Sequence, residues 1–196
     1  MSDQGVPIFP LRTILFPGSK LPLRIFEPRY LDMVSHCMRS NIEFGIVLSR
    51  KVPQPGMLET YATGTLATII DWNQGDDGLL GITTLGTNKF ELLSMTKQED
   101  GLNIGDIRIV EKEEDFKAPS NFDNMINLLE AILEDVDLYH ERDKFFDSAS
   151  WISFRFAEIL PLKIEDKQKC LEFDDPILRL NFLEPLIKLI RENSQQ

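Results

Sequence analysis

Three prolines and a glycine punctuate the stretch 14–30 (ILFPGSKLPLRIFEPRY) so densely that its backbone has few choices. Pro17-Gly18 predicts a turn, because proline presets φ near about −65° at the second turn position and glycine accepts a left-handed conformation after it. Residues 21–26 then predict a strand. Pro28 predicts the first turn of a helix over 28–39, where its missing N–H costs no hydrogen bond. Tyr30, Leu31, Met33, Val34 and Met38 supply that helix with an apolar side.

Around this stretch the first half of the chain predicts a sheet. Residues 6–11 form a short strand interrupted by Pro10, which suits a sheet edge or the start of a sheet. Ser40-Asn41 ends the helix, and 43–48 is apolar on both sides, the pattern of a central strand. Two prolines and a glycine within 52–56 make that segment a loop. Over 61–72, Thr63, Thr65, Ala67, Ile69 and Asp71 alternate with Gly64, Leu66, Thr68, Ile70 and Trp72, and the second set is expected to face inward. A turn at 73–78 leads to a partner strand over 79–85. A second turn at 86–88 separates it from strands at 90–95 and 102–110, with a further turn between these two. Many short strands joined by glycine turns predict a small barrel or folded sheet.

The charged run 111–115 closes the β-rich half, and nothing after it has strand character. The division expected is a β-rich subdomain over 1–117 and a helical bundle over 118–196, an α+β arrangement. Ser120 is placed to cap a helix over 122–138 whose stripe is Phe122, Met125, Ile126, Leu129, Ile132, Leu133 and Val136. Further helices are expected over 147–160, 164–173 and 176–191, the last kinked at Pro185. Trp151 and Phe154 lie off the stripe of their helix, placed either to fill a junction or to offer a contact surface.

Composition removes several functions. A chain of 196 residues with 42% hydrophobic residues buries a sizeable core without metal or disulfide. Cys37 and Cys170 are far apart, with no CxxC spacing and no secretory signal, so a reduced, cytoplasmic protein is expected. No apolar run reaches the roughly 20 residues that cross a bilayer, so no membrane partner is expected. A net charge of −11 and pI of about 4.7 oppose nucleic-acid binding. Arg12, Arg24 and Arg29 come closest to a basic patch, beside Glu27 and Asp32. His36 and His140 lack a second ligand within helical reach, and the acidic groups at 76–77, 113–115 and 174–175 lack calcium-loop spacing and read as solvated turns. Neither metal nor cofactor is expected. Cys37 and His36 are adjacent on a helix and point about 100° apart, which argues against a nucleophile–base pair. Glu27, between Arg24 and Arg29, is placed to form an internal ion pair locking the strand-to-helix turn.

A chain of motifs adds a resemblance. Residues 7–11 (PIFPL), 15–18 (LFPG), 21–23 (LPL) and 25–30 (IFEPRY) are followed by Phe44-Gly45-Ile46-Val47, Gly64-Thr65, Gly86 and Lys89-Phe90. Far downstream come Leu160-Pro161-Leu162, Lys167-Gln168, Leu171-Glu172 and Arg179-Leu180. In this order they resemble the amino-terminal, or LON substrate-binding, domain of Lon proteases over nearly the whole chain. The resemblance implies a β-rich, PUA-like pseudo-barrel followed by a carboxy-terminal helical bundle. It also implies recognition of unfolded polypeptide or a specific protein partner, in an adaptor or substrate-recognition role. The Lon ATPase needs a phosphate loop ending in Gly-Lys-Ser/Thr, and the chain contains no Gly-Lys; the serine and lysine of the Lon protease belong to a separate domain. A stand-alone recognition module that is not an enzyme, with no catalytic residues, is therefore expected.

The peptide-binding candidates are Phe16, Arg24, Phe26, Arg29 and Tyr30, the loop residues Pro53, Pro55 and Met57, and Trp151 with Phe154. Each aromatic also has a plain reading as core, and each charge as a structural ion pair. The alternatives are an enzyme or small-ligand binder using a crevice between the subdomains, RNA binding by analogy with true PUA domains, and a homodimer joined through Trp151 and Phe154.

Overall fold

The computed structural model describes residues 5–50, 59–135 and 144–193. They fall into two compact units, divided between Lys112 and Glu113. The first holds β1 (Val6–Leu11), β2 (Lys20–Ile25), α1 (Pro28–Ser40), β3 (Phe44–Arg50), β4 (Glu59–Gln74), β5 (Leu80–Lys97) and β6 (Asn103–Ile109). Its sheet order is β2-β5-β4-β3-β1-β6, and β6 pairs again with β5. Five strands thus close on themselves, while β2 lies along the first part of β5. Among the described strands only β1 and β3 run parallel; the other pairs are antiparallel.

Three expectations need correction. The turn at 86–88 is absent, and β5 runs through it as one 18-residue strand. The β4–β5 register moves from Thr65↔Lys89 to Ala67↔Gly86, so β5 absorbs one extra residue as a bulge. Gly86 is needed for close approach instead: a Cβ there would lie 2.3 Å from the Phe16 carbonyl oxygen. Gly86 N–H donates to Ser19 O, and Gly18 N–H donates to Gly86 O, both at 2.9 Å. Nor does β4 have a single inward face. Leu66 packs with Ile8, Val47 and Phe90, Ala67 and Ile69 join the opposite cluster, and Ile70 and Trp72 are exposed. Alternation itself holds here, with Gly45↔Leu66 and Phe44↔Ala67 pairing on opposite faces; both faces are covered around Leu66 and Ala67, and the covering ends before Ile70 and Trp72. Finally, β1 is interior rather than an edge. Its partner β6 pairs only with Val6–Ile8, so Pro10 sits where one flank of β1 is unpaired and an absent N–H is tolerated.

Helix α1 starts with Pro28 in its first turn and ends at Asn41, whose φ of 50° lets Ile42 N–H reach the Cys37 carbonyl. Tyr30, Met33, Val34 and Cys37 are buried against Phe9, Ile25, Phe44 and Ile82. Leu31 and Met38, expected on the same side, are largely exposed.

The second unit contains a 3-10 turn (Ser120–Phe122), α2 (Asp123–Asp135), α3 (Ala149–Ile159), α4 (Ile164–Glu172) and α5 (Pro176–Asn193), with no strand among its described residues. The molecule is an α+β fold. Pro119, not Ser120, occupies the cap position before the 3-10 turn. The stripe through Phe122, Met125, Leu129 and Leu133 is buried; Val136 lies outside the described residues. Ser148 caps α3, its Oγ accepting from Trp151 N–H at 2.9 Å. Helix α5 runs through Pro185 with both Pro185 and Asn181 exposed, so the carbonyl that loses its i+4 donor faces water.

Glu113 is not the solvated turn residue its charged run suggests. Its carboxylate is 5% exposed and meets the fully buried Arg179 guanidinium in a two-point pair, Oε1 to Nη1 at 3.0 Å and Oε2 to Nη2 at 2.6 Å. Arg179 also donates to Ser153 Oγ and to the carbonyls of Cys170 and Phe173, and its guanidinium lies 3.7 Å from the Phe154 ring centre. All five guanidinium N–H groups are thereby used.

Candidate functional site

In the first unit, a groove of about 710 Å³ opens where β6 stops accompanying β1. Phe9 to Arg12 form one wall, the end of β2 with Phe26 another, and Met95 to Lys97 of β5 close it beside the first turn of α1. Its floor is apolar. Phe9 and Tyr30 stack with ring centres 4.0 Å apart, and Phe44 lies 6.3 Å from Phe9. Burial pushes the Tyr30 hydroxyl above its ordinary value, with the neighbouring Arg29 charge opposing the shift.

The sequence places Phe26 directly after β2, before Glu27 and Pro28 turn the chain into α1. Its register therefore differs from that of Ile25, which is buried, and Phe26 is 66% exposed on the rim. Arg29 is held from three sides. Its Nη1 donates to Gly101 O at 2.8 Å, its Nη2 pairs with Glu27 at 2.6 Å, and its guanidinium lies 4.6 Å from the Tyr30 ring centre. Gly101, at φ +86°, turns β5 into β6, so Arg29 ties that turn to the start of α1. Arg24 does not join Glu27; it pairs with Asp77 in the turn after β4.

Of the residues singled out in the sequence, the groove brings together Arg24, Phe26, Arg29 and Tyr30. Phe16 is 1% exposed and packed inside the first unit. Trp151 and Phe154 belong to the second unit, where Trp151 is half-buried against Phe145 and Phe146 and Phe154 is buried beneath Arg179. Pro53, Pro55 and Met57 lie outside the described residues. Sequence reasoning missed Phe9, Met95 and Lys97 as groove residues, because the β6 pairing that brings β1 and β5 to the same opening has no local signature.

Among the described residues no cluster of His, Cys, Asp or Glu could hold a metal ion. No helix among them is long and apolar enough to cross a membrane. Burial pushes the Cys37 thiol up to about 11 and the Cys170 thiol up to about 12, the Arg179 charge opposing the second shift. Both are protonated at neutral pH and poor nucleophiles.

The model of the ATP-dependent protease La (LON) substrate-binding domain matches residues 5–188. The chain belongs to the LON substrate-binding domain family. A solved structure of a Lon N-terminal domain protein from Xanthomonas campestris is 32% identical, with a TM-score of 0.78 over 92% of this chain and 97% of that one. The N-terminal domain of a Mycobacterium avium complex Lon protease shares the fold, with a TM-score of 0.61 at 15% identity, over 92% of this chain and 97% of that one. Among curated relatives, Lon protease of Cytophaga hutchinsonii is 23% identical over 93% of this chain and 24% of its own length. Lon protease of Parabacteroides distasonis is 28% identical over 63% of this chain and 15% of its own. The chain thus spans a quarter or less of these relatives. The family supports a substrate-recognition role, and the stretch 7–30 that carries most of the early motifs supplies most of the groove's lining.

Proposed function

We propose that this LON domain captures extended polypeptide in the groove between β1, the end of β2 and the end of β5, as a recognition or adaptor module that binds without cleaving. The observation that carries this reading is Phe26, an aromatic two-thirds exposed at the rim of an apolar-floored groove in a domain whose family is described by substrate binding. An unfolded segment offers apolar side chains that a folded protein hides, and Phe26 with the Phe9–Tyr30 floor gives them a surface. Phe16, Trp151 and Phe154 are left out of this site; Phe16 and Phe154 are buried, and Trp151 is half-covered by two rings.

The test is fluorescence anisotropy with a labelled polypeptide in unfolded and folded forms. Saturable binding to the unfolded form, weakened by Phe26→Ala and leaving the polypeptide intact after incubation with ATP, is expected. Equal weakness toward both forms would overturn the reading.

A further inference from the structure

Four cationic side chains, Arg12, Arg24, Arg29 and Lys97, line the groove against one carboxylate, Glu27, in a chain whose net charge is −11. Two of the four are engaged: Arg29 by Glu27 and the Gly101 carbonyl, and Arg24 by Asp77. Arg12 and Lys97 are exposed and have no anionic partner among the described residues. With four cations against one carboxylate among its lining residues, this opening has a local charge opposite in sign to that of the whole chain.

Strand register shows how these cations are spread. Ile8 of β1 faces Asn103 of β6, and Asn103 faces Lys97 of β5. Lys97 is therefore two strand spacings from Ile8, about 9–10 Å, and Arg12 lies four residues further along the chain, roughly 13 Å. The two charges mark separate points along the opening rather than one focus. That spread suits side-chain carboxylates carried along an extended segment, and it does not suit a single terminal carboxylate, which would need converging donors.

We propose that the groove selects extended polypeptide segments in which an aromatic or aliphatic side chain, seated on Phe26 and the Phe9–Tyr30 floor, is flanked by Asp or Glu side chains that meet Arg12 and Lys97. This rests on the groove being the polypeptide site and adds the class of segment it takes. Arg29 and Glu27 serve as positioning residues, holding the turn after β5 against the start of α1 so that Lys97 faces the opening.

The experiment uses labelled ten-residue peptides with a central Phe flanked by two Glu, by two Gln or by two Lys, each with a free and an amidated terminus. They are titrated against the wild-type chain, Phe26→Ala and the double variant Arg12→Glu/Lys97→Glu, at low and high salt. The expected order for the wild type is Glu over Gln over Lys, with about a fivefold loss per step at low salt that shrinks at high salt, as for exposed ion pairs. The double variant should reverse the order, and amidation should change nothing. Glu and Gln peptides binding alike, both weakened by Phe26→Ala, would overturn the charge selectivity and leave polypeptide capture standing. Binding lost on amidation but not on Glu-to-Gln exchange would assign the site to chain termini and overturn the proposal. No binding by any peptide, with Phe26→Ala indistinguishable from wild type, would overturn the capture reading and this one with it.

Discussion

Glu113→Ala removes the carboxylate from a guanidinium that has no route to water. Arg179 is fully buried, and Glu113 answers two of its five N–H groups at 2.6 and 3.0 Å. The other donors are fixed on Ser153 Oγ, Cys170 O and Phe173 O at 2.8–2.9 Å, so the side chain cannot swing out without abandoning them too. Stripping one partner from a buried, hydrogen-bonded ion pair costs about 3–5 kcal/mol, because the remaining charge stays desolvated and uncompensated. Arg179→Met costs a similar amount, leaving the buried Glu113 carboxylate with Ser150 Oγ in place of the guanidinium and the Cys170 and Phe173 carbonyls without their Arg179 donors. The double variant removes both charges and should lose at least ~2 kcal/mol less than the sum of the single losses. Trp72 lies in β4 and Trp151 in α3. In a Trp72→Phe background, Trp151 emission therefore follows urea unfolding of the second unit alone. With an m-value of ~2 kcal/mol per molar, the Glu113→Ala midpoint should fall by about 2 M. A loss below about 1 kcal/mol, or strictly additive losses, would refute the claim that this pair is closed to water.

Both thiols should resist a disulfide reagent at pH 8 in the folded chain and react fully in denaturant. Burial raises them from 9.0 to about 11 and about 12, so the fold favours their protonated forms. That stability is complete below about pH 9 and is lost as pH rises toward 11–12, and Cys37→Ala/Cys170→Ala should flatten this alkaline slope in urea melts. Gly86→Ala drives a Cβ to 2.3 Å from the Phe16 carbonyl. Backbone cannot yield as a flexible side chain can, and thermal or urea melts should register about 2–3 kcal/mol of destabilisation. Phe26→Ala should leave stability within ~0.5 kcal/mol of the parent, whereas Tyr30→Ala, stacked on Phe9 and 5% exposed, should cost about 3–5 kcal/mol. Equal costs for those two substitutions would contradict the division between rim and floor.

What was legible in the sequence followed from local chemistry. Pro28 and Asn41 bound α1 because a proline and a left-handed asparagine act on their own backbone. The motif chain of residues 7–30 disclosed the family for a related reason, since its prolines and Gly18 answer local geometric demands. The failures share the opposite cause. Gly86 looks like a turn residue when only its neighbours are considered, and its actual use is contact with the Phe16 carbonyl, seventy residues earlier. Ile70 and Trp72 are expected inside when one inward face is carried across 61–72, whereas packing from distant residues covers both faces of β4 around Leu66 and Ala67 and leaves Ile70 and Trp72 exposed. Glu113 is indistinguishable from Glu114 in the sequence. Only Arg179, on the last helix, selects it for burial. Long-range pairing likewise decides that Arg29 is structural while Lys97 has no anionic partner among the described residues, and no property of either residue type foretells it.

The edge of the sheet explains why recognition here should run through side chains. Among the described residues, strand β2 pairs on one side only, with β5, and could accept a peptide as an added strand on the other. Its sequence opposes that use: Pro22 interrupts the row of N–H donors, and Lys20 and Arg24 flank it with charge. The unpaired flank of β1 carries Pro10 and is similarly short of a donor. With both nearby edges blunted, the groove offers an arriving chain apolar rings and cations, and little backbone to pair with. A peptide with N-methylated amides should therefore bind nearly as well as its parent. A loss of more than about tenfold on methylation would mean that strand addition operates here despite Pro10 and Pro22.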